Sequence, residues 1–519
     1  MQKLKSRGDN VDNLSFRLYN TKYKILQRVA IILSTVSVKT KKESTIKWLL
    51  NRAFGSRVFP FVTAAVMLAC YYTGMDLFAF YYVAVTGIII LTLCDDLTPF
   101  ITLLAFLTVI ISHKHSPSVA SGNSGYLFQP AVLAQVITLV VLLVSAGIVR
   151  IIIMFCQRKF KFTPMFFGLC ALSVAFLLNG LFSKGYTPMN LLYGIFQALI
   201  YLGIFVLLKD NIKINGKTFK YVATVFLALS ILLVAELFIA YFTTEGIYVN
   251  GELHRSKLSF GWGVYNTMGM LLLLCIPSVT YLASLYKHGW ILTVYSVVLI
   301  LSCILSLSRS AMLGAVVIYP LSLIYLIVKT KQRLVNGLII GGAAIVAIIV
   351  VAIKWDSVAN SFSQIFENVI VNGQLNGSGR MKLYKTAWEE FLKAPVFGTG
   401  FFSGSLEGSA AYNASGLDII PLFYHNTLFQ MAASCGIVGL AAYLVHRCQT
   451  VFSFLGNVTV ERTYLAVSML TILFLSLLDV HMFDILPTML YICFLSVFVA
   501  TEKKKTETPE NPPLFIIEV

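Results

Sequence analysis

Runs of apolar residues long enough to cross about 30 Å of hydrocarbon recur from residue 58 to residue 500. Nothing else in the chain restricts its fold so strongly. Inside hydrocarbon every backbone N–H and C=O must be bonded within the protein, so such runs become helices. They fall at 58–74, 77–94, 97–112, 131–153, 163–182, 189–208, 220–242, 263–283, 289–308, 311–328, 335–353, 427–445, 463–482 and 485–500. The expected fold is an all-α polytopic integral membrane protein of about 12–14 transmembrane helices. Composition agrees: 58% of the 519 residues are hydrophobic and 12% charged, where a soluble domain carries about 25% charged residues.

Lysine and arginine are unevenly shared among the connecting segments. With the N-terminus in the cytoplasm, the inner segments hold "QRKFK" (157–161), "KDNIKINGKTFK" (209–220), "KTKQR" (329–333) and "EKKK" (502–505), and most of the 40 Lys and Arg lie inside. The positive-inside rule then puts both termini in the cytoplasm. The net charge of +17 follows from this topology, so nucleic acid is not an expected partner. Residues 1–57 form a basic arm whose longest apolar stretch, 29–38, is too short to span. The arm reads as cytoplasmic, either lying on the bilayer surface or solvated and disordered. The nine cysteines form no CxxC pair, and neither a disulfide framework nor a structural zinc site is expected.

Two outer segments are long: 243–262 and the insert 355–425. Long connections in compact proteins usually carry function. Within "GRMKLYKTAWEEFLK" (379–393), Met381, Tyr384, Trp388, Phe391 and Leu392 recur at helical spacing, with Lys382, Lys385, Glu389, Glu390 and Lys393 between them. Gly377 and Gly379 precede this amphipathic helix and Pro395 closes it; Gly398, Gly400 and Gly404 supply turns. Its Trp face is expected to rest on the bundle as a lid over the outer mouth, a solvated cap being the alternative.

Three ionisable residues meet at that boundary: Arg309, Arg380 and His425. Taken singly, an interfacial arginine snorkels to lipid phosphate, and a histidine at a helix start caps or packs. Taken together, two planar guanidinium forks suit a diphosphate. A histidine titrating near neutrality suits a sugar hydroxyl. Glu236, inside the run 220–242, calls for a partner, Arg309 being one candidate and protonation the alternative. Asp479, His481 and Asp484 read by default as capping or solvated, with cavity lining as the alternative. The remaining outer carboxylates are scattered and define no metal site.

"SLSRSAMLG" (306–314), "GSGRMKLYKTAWEEFLKAPVFGTGFF" (377–402) and "YHNTLFQMAASCGIVGL" (424–440) resemble, in order, three signatures of the O-antigen ligase family. "HRSKLSFGWGVYN" (254–266) is similar to an upstream Arg…Asn segment. The resemblance implies a membrane glycosyltransferase that moves a glycan from an undecaprenyl-diphosphate carrier to a glycan, lipid or protein acceptor at the outer face of the membrane. It implies no cofactor and no metal. By resemblance Arg309 and Arg380 hold the diphosphate and His425 activates or orients the acceptor, with Arg255, Asn266, Trp388 and Asn426 as further substrate contacts. The chemistry is self-consistent, since a diphosphate is a good leaving group and attack opposite it inverts the anomeric carbon. No outer carboxylate pair is arranged for a retaining route.

A lipid-linked oligosaccharide flippase or other polytopic transporter is the competing reading. Such proteins often show internal repeats and charges near mid-membrane; here no repeat is visible and nearly all run interiors lack charge. The chain divides into a basic arm (1–57), N-terminal helices (58–254), a ligase-like core (255–445), C-terminal helices (446–500) and a cytoplasmic tail (501–519).

Overall fold

A computed structural model describes residues 41–111, 129–329, 332–353, 380–401 and 424–502, with short interruptions between 244 and 262, and two strands at 370–375. Arg255, most of the insert, residues 1–40 and the tail beyond 502 lie outside the described residues. Every apolar run of the sequence overlaps a helix. In chain order the described helices are α1 (Lys41–Phe54), in the basic arm, α2 (Val58–Thr73), α3 (Asp76–Leu93), α4 (Phe100–Phe106), α5 (Pro130–Cys156), α6 (Pro164–Phe182), α7 (Pro188–Ala198) and α8 (Ile204–Lys209). There follow α9 (Gly216–Thr243), α10 (Tyr265–Leu285), α11 (Trp290–Leu305), α12 (Arg309–Lys329), α13 (Arg333–Ile353), α14 (Arg380–Lys393), α15 (Thr427–Gly456), α16 (Val460–Ser476) and α17 (Ile485–Ala500).

Seven helical segments are long and apolar enough to cross a membrane: α3, α5, α6, Pro188–Lys209, α9, α10 and α15. The number is eight if α1 and α2, bent 71° apart, count as one span. Shorter apolar helical stretches lie at Phe100–Val109, Trp290–Leu305, Arg309–Ile324, Arg333–Val346 and Ile485–Ala500, where the sequence predicts a span for each. The chain is thus an all-α polytopic membrane protein. Three two-residue antiparallel ladders, Tyr248–Val249 with Glu252–Leu253, Ser259–Phe260 with Gly263–Val264, and Ile370–Val371 with Gln374–Leu375, sit in its connections.

Helix α10 is the axis of the core, with residues 268 to 284 buried without a break. It packs against α9, α11, α12 and α16. Small residues permit the close approaches: a Cβ on Gly314 of α12 would lie 2.6 Å from Leu273 of α10 and 3.0 Å from Leu475 of α16. Glu236 and Arg447 are two of the ionisable residues within the described helices. Both carboxylate oxygens of Glu236 in α9 are buried without a hydrogen bond, so it is not paired with Arg309. Helix α15 runs eleven residues beyond the apolar run read from sequence, and Arg447 therefore lies inside it. Its guanidinium sits over the rings of Tyr443 (4.4 Å) and Tyr491 (4.5 Å), which answer the charge in place of water.

Candidate active site

One end of the bundle, where α9, α11 and α16 finish and α10, α12, α15 and α17 begin, carries the residues singled out in the sequence. Helix α15 starts there with Asn426 as its N-cap. The Asn426 Oδ1 accepts from the N–H groups of Leu428 (2.9 Å) and Phe429 (3.2 Å), and its Nδ2 donates to the carbonyl of Leu477 (2.9 Å). Both ends of this amide are engaged in fixing the backbone beside His425. His425 itself has φ of 52°, a left-handed conformation that costs a non-glycine residue about 1–2 kcal/mol. This turn aims the ring at the loop after α16, where Nδ1 lies 2.8 Å from Asp479 Oδ1.

That contact defines the ring's chemistry. Asp479, as a carboxylate, accepts the Nδ1 hydrogen, which leaves Nε2 as the free nitrogen when the ring is neutral. The His425 side chain is 42% exposed and Asp479 13%, so the carboxylate is shielded while the ring meets solvent. Burial pushes the Asp479 carboxyl up, but the His425 hydrogen bond, the nearby His481 and the Val480 N–H outweigh it and hold its pKa at about 2. Asp479 is therefore ionised at neutral pH. Asp484, at the start of α17, is instead raised, chiefly by burial.

Helix α14 lies against α15. Its contact face is Leu383, Tyr384 and Ala387: Ala387 is buried with Tyr424 and Ala433, and the Tyr384 ring stacks on Phe429 at 4.8 Å. The Tyr384 hydroxyl donates to the carbonyl of His425 at 3.4 Å. Burial raises the Tyr384 hydroxyl, Arg380 opposes this and Asp479 reinforces it, which puts all three side chains within electrostatic reach of one another. The packing face differs from the expected one. Trp388, Met381 and Leu392 are 52%, 43% and 60% exposed, because the close approach to α15 is made through the small Ala387.

The segment after α14 explains the glycines. In a continuous helix the N–H groups of Ile437 and Val438 would donate to Ala433 and Ser434. At Gly436, with φ of 63°, α15 breaks. The chain 395–400 takes over all four groups: Ile437 N donates to Pro395 O (2.8 Å), Val438 N to Val396 O (3.3 Å), Thr399 N to Ala433 O (2.9 Å) and Gly400 N to Ser434 O (3.1 Å). Any Cβ would prevent this interlock, lying 2.0 Å from Ser434 O at Gly398 and 2.3 Å from Val396 O at Gly436. The glycines read as turns are thus sites of backbone contact, and they fix α14, with Arg380, onto α15.

Arg309 opens α12 after a three-residue turn. Ser308 Oγ accepts from Ala311 N (3.3 Å) and donates to Asn266 Oδ1 (3.1 Å), and Leu307 has φ of 58°. Asn266 and Arg309 are thereby brought to one place, the N-terminus of α12. Gly314, five residues on, meets Leu475, four residues before Asp479, so the two clusters occupy neighbouring helix ends. Arg309 is exposed and Arg380 half-buried, and among the described residues neither guanidinium has a hydrogen bond or ion pair. A cation at a helix N-terminus sits against the positive end of the macrodipole, an arrangement that an anion would relieve. Among the described residues no group of three His, Cys, Asp or Glu could hold a metal ion.

Sequence reasoning brought forward Arg309, Asn266, Arg380, His425 and Asn426, all placed at this end. It left Asp479 at its default solvated reading and missed the bond from Tyr384. Comparison of the chain with curated proteins gives no match. Residues 294–444, from within α11 to within α15, match the family model described as O-Antigen ligase. That match includes Arg309, Arg380, Trp388, His425 and Asn426, and it leaves Arg255, Asn266 and Asp479 outside. Over these residues, in a multi-pass membrane protein, the chain carries an O-antigen ligase domain.

Proposed function

We propose that the protein transfers a glycan from a polyprenyl-diphosphate carrier to an acceptor hydroxyl at the outer face of the bacterial cytoplasmic membrane, by an inverting reaction without metal. The O-antigen ligase domain supports the coarser part of this reading, a membrane enzyme of surface-polysaccharide biosynthesis. The observation that carries the finer part is the His425–Asp479 bond of 2.8 Å beside the helix that bears Arg380. The acceptor oxygen attacks the anomeric carbon. The bond from that carbon to the diphosphate breaks, and the diphosphate leaves with the electron pair. The acceptor proton passes to His425 Nε2 and from there to water. Asp479 holds the ring in the tautomer that can accept it and stabilises the imidazolium that forms. Arg309 and Arg380 bind the diphosphate and answer the charge that grows on it as the bond breaks. Asn426 positions His425, and Asn266 supports the Arg309 turn.

The test uses purified protein in nanodiscs with an undecaprenyl-diphosphate oligosaccharide, candidate acceptors, and chelator present or absent. The expected result is chelator-insensitive release of undecaprenyl diphosphate with formation of an inverted glycoside. The reaction should be abolished by Arg309→Ala or Arg380→Ala and strongly reduced by His425→Ala. The acceptor in the product separates ligation from repeat-unit polymerisation. Movement of the lipid-linked glycan between leaflets, with no turnover on any acceptor, would sink the reading in favour of a transporter.

A further inference from the structure

Asp479 sits in a loop, residues 477–484, between α16 and α17, and a loop is a poor foundation for a group that must orient a histidine ring. The loop is nonetheless buried: Val480, His481, Met482 and Phe483 are all at most 4% exposed. Its backbone is held by a row of side chains from the other half of the chain. Tyr193 Oη donates to Phe483 O at 2.5 Å, Gln197 Nε2 to the same carbonyl at 2.7 Å, and Tyr201 Oη to Met482 O at 2.8 Å.

The three donors are spaced four residues apart. In a regular helix of 3.6 residues per turn that spacing drifts steadily around the axis. Here the helix that begins as α7 widens into a π-turn at Leu199–Gly203, which offsets the drift and returns Tyr201 to the face shared by Tyr193 and Gln197. Such single-turn widenings are frequent at functional sites.

The same hairpin, α6 with α7, also grips the segment that carries α14. Asn179 of α6 donates through Nδ2 to Phe397 O (3.0 Å) and to Ser434 O, and Asn190 of α7 accepts from Phe401 N at 2.8 Å. Rings join the two grips: Phe401 lies 4.7 Å from Tyr193 and 5.6 Å from Phe483. The hairpin is itself close-packed, since a Cβ on Gly194 would fall 2.6 Å from Phe176 O. One hairpin thus sets both the loop with Asp479 and the loop that anchors the Arg380 helix.

We infer that α6–α7, which lies outside the segment matching the ligase family, is the positioning frame of the site. Gln197 and Tyr201 act on the reaction through Asp479 and the His425 ring. The inference rests on the reading of His425 as acceptor of the substrate proton. These are positioning residues: they touch no reacting atom.

The test is a mutant cycle in full-length protein in nanodiscs. Tyr201→Phe and Gln197→Met are made alone and in an Asp479→Asn background. Each alone is expected to lower kcat roughly 10-fold, with KM for the lipid-linked donor changed by less than about 2-fold. In the Asp479→Asn background the same changes are expected to cost less than about 2-fold, because the group they position is already disabled. Costs that multiply in full across the two backgrounds would overturn the inference.

Amide hydrogen exchange at residues 479–484 gives a readout independent of turnover, and it also screens for loss of global folding. Exchange is expected to quicken by roughly 10-fold or more in the loop while α10 stays protected. Unchanged exchange in the loop would overturn the inference. An inactive wild type whose loop still depends on Tyr201 would instead overturn the transfer reaction and leave the hairpin's hold standing.

Discussion

The turn that presents His425 and the turn that presents Arg309 are built alike and finished differently. Each follows or contains a non-glycine residue of positive φ, His425 itself at 52° and Leu307 at 58°. Each precedes a helix whose first N–H groups are met by side-chain oxygens, Asn426 in one case and Ser308 in the other. Beyond that point they diverge. The His425 ring is locked to Asp479, and its carbonyl accepts from Tyr384. The Arg309 guanidinium is exposed and unpaired among the described residues, though its backbone is well fixed. Among the described residues, the protein has completed one of the two from its own side chains and not the other; in the proposed reaction an anion fills the second. Such a division suits a reaction whose base must be oriented before substrate arrives and whose anionic leaving group supplies the missing partner.

The comparison breaks most visibly at Arg309. Arg309→Ala is expected to lower kcat/KM for the lipid-linked donor by roughly 1,000-fold, as loss of a guanidinium answering leaving-group charge does. Arg309→Lys keeps the charge and loses the two-pronged geometry, and should recover only part of the activity. Equal activity of the lysine variant and wild type would show that charge alone suffices there. Asp479→Asn comes next, with a fall in kcat of roughly 100-fold and little change in donor KM, since the ring loses its tautomer and not the diphosphate its arginines. A KM effect as large as the kcat effect would mean that the two regions are not separate.

How much of this was legible follows from the range of the signals. Each apolar run was visible as a helix because apolarity over a span is local, whereas the polar α1, Lys41–Phe54, was read only as part of the basic arm. So were Arg309, Arg380 and His425, whose side chains are out of place at the edge of hydrocarbon. Asp479 was not, because its bond to His425 joins positions 54 residues apart, and nothing near Asp479 separates an orienting carboxylate from a solvated one. Its neighbourhood in "LLDVHMFD", at the same bundle end as His425, was the available signal. The face of α14 was misread for another reason. In water the larger apolar residues mark the packed face, but beside a bilayer both faces can be apolar, and close helix contact selects small residues such as Ala387. Gly398 and Gly400 marked where the chain turns; what they meet there, and the break of α15 at Gly436, are tertiary facts.

The interlock of those glycines is the next place to press, because it holds α14 and the His425 helix as one body. Gly436→Ala must adopt φ of 63° and place a Cβ 2.3 Å from Val396 O. A loss of about 2 kcal/mol or more is expected, read as a lowered thermal midpoint, and Arg380 should lose its place relative to His425. Full stability would mean that the break in α15 is not held as described. Alanine in place of Gly341, which has nothing within 4 Å of an added Cβ, is the matched control.

The smallest expected effect is the acid titration of the His425–Asp479 region, and it separates a locked site from a merely adjacent pair. The Asp479 carboxyl has a pKa of about 2 in the folded protein against an ordinary 3.8. A lowered folded value means that the native state prefers the carboxylate. The stabilisation is therefore complete above about pH 4 and is lost as the pH falls through about 2, amounting to about 2 kcal/mol. Thermal midpoints from pH 5 down to pH 2 should fall further for wild type than for Asp479→Asn, in which that group cannot titrate. Parallel curves would show that the native state gains nothing from the carboxylate. Asp479 would then be a bystander, and the ring would owe its direction to the strained turn at His425 alone.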